Sequence, residues 1–353
     1  MAMKELTTVS IIIPIYNSSE YIGACIDSIC SQECEEAEIE CILVNDCTPD
    51  DSMEVVRNKL KDYMGGVIFK TIRLDKNSGH CVARNAGIRI STGDYILFVD
   101  SDDILEPGTI SYFLEGIRLH GGSDVDVVMG NSFDNSRNAE IMHFDSDNPV
   151  LIDNSDESAL RKMLSRDLIH TSWNKLVKRT VFTEQQLYFQ GGIINEDQLW
   201  SYLLFRQIKN VLIMPKITYI YNKYNPSNIT NTSVKRPRHL IESRIFIYNK
   251  VLDNPPKFRN SQIDYFLYIL TYLARTLDIF EANKQQVSDL YGNLHLLTNR
   301  FLKTIWKSKC YLFFFHSLIL VKPFYYVTHI RLYRRYFDNI TNTVVSLQKT
   351  MSP

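Results

Sequence analysis

The sequence predicts an α/β fold, a mixed but mostly parallel sheet flanked by helices, with a helical C-terminal region. Three observations carry that expectation. Short apolar, β-branched runs alternate with helical stretches through roughly the first 100 residues, the pattern of βαβ units with right-handed crossovers. Two of these runs end abruptly in acidic residues, at the ends where open α/β sheets place their ligands. From residue 237 onward apolar residues recur at helical spacing, as in Tyr265, Tyr268, Ile269, Tyr272 and Leu273.

Taken in order, residues 9–15 (VSIIIPI) form the first strand. Asn17 and Glu20 then fit a capping box, with Asn17 capping a helix that buries Tyr21, Ile22, Cys25, Ile26 and Ile29. A second strand, residues 39–44, runs into Asn45 and Asp46, and a helix through Leu60 follows. Residues 67–74 form a third strand, and Asn77-Ser78-Gly79 leads into a third helix ending at Ile90. The strand at 95–99 comes next, then a helix at 109–119 and a strand at 126–129. Residues 130–149 are polar and read as a long surface loop of the kind that forms lids. A short helix at 158–164, a strand at 173–177, a helix through Phe205 and a strand at 211–221 complete the α/β portion. The boundary falls near 230–237. This divides the chain into a domain at 7–232, with halves at 7–130 and 131–232, and a helical region at 236–353.

The stretch GDYILFVDSDD, residues 93–103, organises the rest. Tyr95 to Val99 have the apolar, aromatic and β-branched character of a buried parallel strand. Asp100, Asp102 and Asp103 at its end repel one another, and stability alone gives no reason for them. A hard divalent cation such as Mg2+ or Mn2+, or a ligand rich in hydroxyls and phosphates, makes the cluster tolerable. The bland alternative is a polar turn in which Asp102 or Asp103 caps the following helix.

Three further constellations bear on chemistry. Asp46 ends a buried strand beside the Asp100 cluster and can accept a hydrogen bond from a base or ribose, or simply form an Asx turn before Pro49. Pro14, Tyr16 and Asn17 finish the first strand at the same edge, where the Tyr16 ring can stack on a base. Lys76, Asn77, Gly79, Arg84 and Asn85 surround the start of the third helix, with Arg84 either a solvated helix-face residue or a crevice residue. No GxGxxG and no GxxxxGK[ST] occurs, which excludes Rossmann-cofactor and P-loop readings. Glu196 and Asp197 follow a Gly191-Gly192 turn at a helix N-terminus, where the dipole favours an ionised carboxylate able to take a proton from a hydroxyl. Ordinary N-terminal acidic residues supporting the helix are the alternative there.

The segments VSIIIPIYN, VNDCTPDDS, NSGHCVARNAGI, GDYILFVDSDD, TSWNKLVKR and NEDQLW occur in the order and spacing of family 2 glycosyltransferases, and residues 7–230 resemble that family. The likeness is to bacterial members that build capsule, O-antigen or exopolysaccharide. It implies a GT-A fold, a nucleotide-sugar donor that is usually UDP-linked, and a Mn2+ or Mg2+ cofactor. It implies Asp46 at the base, Asn77 and Arg84 along the nucleoside, Asp100 near the ribose and Asp102 on the metal. Asp197 is the implied catalytic base, Glu196 its support, and Trp173 either a sugar-pocket aromatic or a core residue. The donor set also takes in Pro14, Tyr16, Asn17, Gly79, Ser101 and Lys223. The mechanism implied is a single, inverting displacement by an acceptor hydroxyl. Two positions depart from the family pattern: Asn45 stands for a common Asp, and the basic residue before a Ser-Ile-Thr triplet is represented only by Lys223. Residues 187–191, LYFQG, resemble a protease-tag scar but fall where the family has such a run, so they read as native.

Composition bounds the partners. Of 353 residues, 45% are hydrophobic and 22% charged, as in a globular protein, and the net charge of −1 predicts no general affinity for nucleic acid. The seven cysteines match no metal-binding spacing and read as free thiols of a reducing cytosol. No signal peptide opens the chain and no run reaches the length of a spanning helix. Residues 290–337 contain no acidic residue and interleave Arg300, Lys303, Lys307, Lys322, Arg331, Arg334 and Arg335 with aromatics such as Trp306, Phe313 and Tyr325. That pattern describes an interfacial membrane segment. It fits a saccharide or polyprenyl-linked acceptor and a cytoplasmic location, peripheral at the inner face of the membrane. A helical cap or a dimer surface is the plainer reading. Competing functions are a nucleotidyltransferase, which lacks its Gly-rich basic signature here, and a catalytically silent nucleotide-sugar-binding or scaffold subunit.

Overall fold

The computed structural model describes residues 6–141, 146–165, 168, 170–222 and 236–310. The chain divides into two compact units, Met1–Tyr265 and Phe266–Pro353.

The first unit is built on a mixed sheet. Strands β1 (Thr7–Ile15), β2 (Ala37–Asn45), β3 (Ile68–Arg73) and β4 (Tyr95–Phe98) are parallel and lie in the order β3-β2-β1-β4. Helices α1 (Ile22–Cys30), α2 (Ser52–Leu60) and α3 (His80–Ile90) make the crossovers. The order reverses between β1 and β4, so their C-terminal ends open a crevice at a switch point. β1 is apolar on both faces because both are covered: Ile11, Ile12 and Ile13 are fully buried. Gly87 lets α3 approach, since a Cβ there would stand 2.4 Å from the Ile12 side chain. The start of α3 is thereby held close to the strand ends.

The sheet continues through β9 (Lys175–Lys178), antiparallel to both β4 and β6 (Val127–Asp134), and then β10 (Asn210–Tyr221), parallel to β6. The short β5 (Ile104–Leu105), β7 (Ala139–Ile141) and β8 (Val150–Asp153) add antiparallel partners to β10 and β6. Helices α4 (Thr109–His120), α5 (Ser158–Ser165), α6 (Arg179–Thr183) and α7 (Glu196–Gln207) lie between these strands in the chain. Helix α8 (Pro237–Asp253) belongs to this unit, which continues to Tyr265, past the boundary read from the sequence near 230–237. In the second unit, α9 (Arg259–Ala282) continues from the first. It is followed by α10 (Lys284–Val287) and α11 (Tyr291–Lys307), and Phe266 meets Phe301 edge-to-face.

Three local expectations are corrected. Asn17 does not cap α1. It takes a left-handed conformation (φ 54°), and the helix begins at Ile22 after a turn closed on the Ser18 carbonyl. The amides of Asn17 and Ser18 are instead bonded by Thr48 and Ser52, tying this turn to the loop after β2. Residues 130–149 are not one loop, because β6 runs on to Asp134 and pairs with β7. Its polar residues are buried and satisfied inside the fold: Asn131 donates to the Pro215 carbonyl, and Asn174 donates to the Gly130 and Asn131 carbonyls. Neither Asp102 nor Asp103 caps the next helix, which starts at Thr109 after a left-handed Gly108. Asp103 turns inward.

Candidate active site

The N-terminal turn of α3 is the hub of the site. Gly79 sits at its cap with φ +87°, a conformation that an L side chain rarely adopts. That backbone aims the Ser78 and Gly79 amides at Asp46, each donating to one carboxylate oxygen at 2.7 Å. Asn77 accepts a second, longer bond from the Gly79 amide at 3.2 Å. Asp46 is buried and Asn77 exposed, so the first builds the loop and the second stands at its rim.

One turn into the helix, Arg84 is 4% exposed and forks between two carboxylates. Its Nη2 donates to Asp100 Oδ1 at 2.6 Å and its Nη1 to Glu196 Oε1 at 3.2 Å. Burial opposes its charge, but Asp100 and Glu196 more than restore it. Glu196 is desolvated, yet the His80 bond, at 2.6 Å to the same oxygen, and Arg84 hold its carboxyl below the usual range. Arg84 also lies over the Phe189 ring, 5.3 Å from its centroid. Phe189 is locked by two backbone bonds to the Asn85 amide and stacks on Trp200, so the LYFQG run is part of the fold.

The strand-end acids are sorted by burial. Asp100 keeps its carboxylate partly open, with a side chain 27% exposed, and donates its own amide to the Tyr219 hydroxyl. Asp103 is fully buried, accepting from Tyr219 Oη and from the Asn222 amide at 2.7 Å each. Burial, then the charges of Asp100 and Asp102, push its carboxyl well above the ordinary range. Ser101 and Asp102 are half-buried between them. Tyr16 and Asn17 are exposed at the neighbouring strand end, while Pro14 is buried within β1, paired in register with Val44.

Asp197 stands on the first turn of α7, next to Glu196. Its Oδ1 accepts the Gln198 amide at 2.9 Å. Burial and the Glu196 charge push its carboxyl up to about 8, against the pull of Arg84 and Lys175. A left-handed Asn195 (φ 61°) makes the entry to the helix. The preceding loop is buttressed from α8, where Ser243 accepts the Ile194 amide and His239 bonds the Gly192 carbonyl.

The structure thus brings Arg84, Asp100 and Glu196 into one bonded chain, with Asp197 adjoining. It places Asp46, Asn77 and Gly79 in a second cluster on the same helix cap. Trp173 is 8% exposed and stacks face to face on Tyr219 (4.5 Å) and Tyr221 (5.5 Å), within the core. Lys223 lies outside the described residues. Residues that sequence reasoning missed are His80, Tyr219 and Lys175. His80 lies inside a motif already singled out, and a titratable residue one position beyond a helix-capping glycine was the available signal. Nothing in the sequence marked Tyr219. Among the described residues, His80, Cys81 and Glu196 offer ligand atoms within 4.8 Å of one another, but Arg84 already supplies the cation there.

The mixed sheet, with its acidic strand ends at a switch point and the carboxylate-bearing helix bonded to them, has the GT-A architecture. The model of the family described as "Glycosyl transferase family 2" matches residues 10–183. The chain is 31% identical over 250 residues to the uncharacterised glycosyltransferase EpsJ of Bacillus subtilis (strain 168), covering 68% of this chain and 70% of that one. The chain therefore belongs to glycosyl transferase family 2. It is also 26% identical over 297 residues to the poly(ribitol-phosphate) beta-N-acetylglucosaminyltransferase TarS of Staphylococcus aureus (strain MW2). That match covers 82% of this chain but only 44% of the relative. The crystal structure of S. aureus TarS 1-349 with UDP-GlcNAc shares the fold, with a TM-score of 0.66 at 18% identity over 89% of this chain and 88% of that one. A mannosyltransferase from Pyrobaculum calidifontis, in complex with GDP-Man and Mn2+, does so at a TM-score of 0.52 and 15% identity, over 89% and 85% of the two chains.

Proposed function

We propose that the chain is an inverting, divalent-metal-dependent transferase. It moves a hexosyl or N-acetylhexosaminyl group from a UDP-linked donor to a hydroxyl of a saccharide or polyprenyl-linked saccharide in cell-surface polysaccharide synthesis. The observation that carries this reading is the Arg84 fork, which ties the strand-end carboxylate Asp100 to the helix that bears Glu196 and Asp197. Donor and catalytic elements are bonded into one unit. The UDP assignment draws on the TarS complex, and the role in surface polymers on what TarS is named for.

In this account the β1, β2 and β4 ends hold the nucleoside: Tyr16, Asn17 and Asn77 at the rim, Pro14, Asp46 and Gly79 setting the loops, Asp100 and Ser101 toward the ribose. The residues fit a hard cation, since three carboxylates crowd one strand end, and burial, then the charges of the other two, drive Asp103 toward its neutral form. Asp102 would hold Mn2+ or Mg2+, which when bound supplies positive charge where the diphosphate leaves. Arg84 and His80 fix Glu196, and Glu196 fixes the entry of α7. Asp197 takes the proton of the acceptor hydroxyl as that oxygen attacks the anomeric carbon from the face opposite the diphosphate, so the configuration inverts. Asp197→Asn should abolish transfer and leave nucleotide binding in Mn2+ intact; loss of both together would remove Asp197 from the role of base.

Peripheral membrane attachment draws on the second unit. Among the described residues no helix is long and apolar enough to cross a membrane. The last turns of α11 and the residues after it expose Lys303, Trp306, Lys307 and Lys309, basic and aromatic together. The rest of the basic-aromatic stretch, residues 311–337, lies outside the described residues.

A further inference from the structure

The helix that carries Glu196 and Asp197 has no side-chain cap of its own. The first N–H groups of a helix lack partners within it, and a side chain at the N-cap ordinarily supplies one. Here the N-cap Asn195 makes no such bond and sits in the left-handed region (φ 61°), three residues after the left-handed Gly192 (φ 78°). A turn of that shape is held by its surroundings. What holds it is α8. Ser243, 1% exposed, accepts the Ile194 amide at 2.9 Å and donates to the His239 carbonyl one turn back at 2.7 Å. His239 Nε2 donates to the Gly192 carbonyl at 3.0 Å. Past the two acids, the buried Tyr248 hydroxyl reaches the Gln198 side chain at 3.4 Å. The grips at 192, 194 and 198 bracket Glu196 and Asp197.

The two acids are not secured alike. Glu196 is bonded from α3 by Arg84 and His80. Among the described residues, the hydrogen bond that the Asp197 carboxylate accepts comes from the Gln198 amide of its own helix. Its aim therefore follows the backbone of the first turn of α7. We propose that Ser243 is a positioning residue for the reaction: through the Ile194 amide it lets α8 set where Asp197 points. The inference rests on the reading of Asp197 as the base. Ser243 stands apart from the donor-holding strand ends and the start of α3, and it acts through the three residues of backbone that separate Ile194 from Asp197. Removing its hydroxyl leaves the Ile194 N–H buried without an acceptor, a costly state that the turn escapes by shifting. A base must stand within hydrogen-bond reach of the proton it takes, and a displacement of about 1 Å is enough to slow a reaction about a hundredfold.

The test uses the full chain with Mn2+ and measures UDP release, with water as acceptor, well below the melting temperature of every variant. The donor is whichever of UDP-glucose, UDP-galactose and UDP-GlcNAc stabilises the protein most. Ser243→Ala should lower kcat roughly ten- to a hundredfold, with KM for donor and the affinity for UDP within about twofold of the parent. Ser243→Thr should recover most of the loss, because a helical threonine makes the same hydroxyl bond to the carbonyl four residues back and keeps the acceptor for Ile194. His239→Leu should show the same split with a smaller loss. A serine that serves stability alone would lower the melting temperature and leave kcat where it is. A folded Ser243→Ala with kcat within about twofold of the parent therefore overturns the proposal, as does a folded Ser243→Thr no faster than the alanine variant. If Ser243→Ala does not fold, an unchanged kcat in His239→Leu overturns it. Retention of the rate by Asp197→Asn would instead overturn the assignment of the base.

Discussion

Replacing Arg84 with methionine keeps the bulk of the side chain and removes the fork. Asp100 and Glu196 then lose a buried partner, at 2.6 and 3.2 Å. Removing one member of a buried ion pair costs about 3–5 kcal/mol, because the remaining charge is stranded. Two features of the structure pull the figure toward the lower end: the Asp100 side chain is 27% exposed, and Glu196 keeps His80. A loss of about 3 kcal/mol follows, which in a domain of this size lowers the melting temperature by about 6–12 °C. Differential scanning calorimetry at neutral pH reads it directly. Arg84→Lys should recover little, since an ammonium cannot span two carboxylates as a planar fork does. A melting temperature within about 2 °C of the parent for Arg84→Met would mean that the two carboxylates are solvated without the arginine, and the account of the hub would be wrong.

Glu40 should confer acid-dependent stability. Against its burial, Lys70, Ser10 and Thr92 bring its carboxyl from 4.5 to about 2. Since the folded value is the lower one, its contribution is complete above about 4.5 and disappears as pH falls toward 2. Urea melts should show about 3 kcal/mol lost across that window in the parent but not in Glu40→Gln. Gly87→Ala should cost about 1–3 kcal/mol by overpacking Ile12, read as a lower urea midpoint with an unchanged slope. Flotation of the full chain with vesicles rich in anionic phospholipid should succeed and weaken with salt, and replacing Lys303, Trp306 and Lys307 by Ser should reduce it. Salt-independent flotation, or none, would favour a cap or dimer role for that region.

The sequence made much of this molecule legible. The four parallel strands and three crossover helices of the first half could be read because β1 and β4 are apolar on both faces, β2 is nearly so, the exposed β3 still carries Ile68, Phe69 and Ile72, and each strand ends in turn-forming polar residues. β6 was cut short because its second half, Gly130 to Asp134, is polar. Only tertiary partners such as Asn174 and Pro215 make those residues burial-competent. The capping box at Asn17 failed because Thr48 and Asp50, thirty-odd residues away, claimed the Asn17 and Ser19 amides a local cap would have used. For the site, residue types at strand ends pointed to Asp46 and Asp100, and acids at a helix N-terminus to Asp197, but not to how they are connected. That Arg84 bridges Asp100 and Glu196, carboxylates from motifs far apart in the chain, and that Lys175 is buried on Thr171, are consequences of packing. No spacing along the chain encodes them.

The central claim is tested most directly by calorimetric titration of UDP into the full chain with and without Mn2+, repeated on Asp197→Asn. The account predicts binding that requires the metal and survives the substitution, while UDP release from the bound UDP-sugar stops. UDP that fails to bind with Mn2+ present, or that binds only when Asp197 is intact, would contradict it.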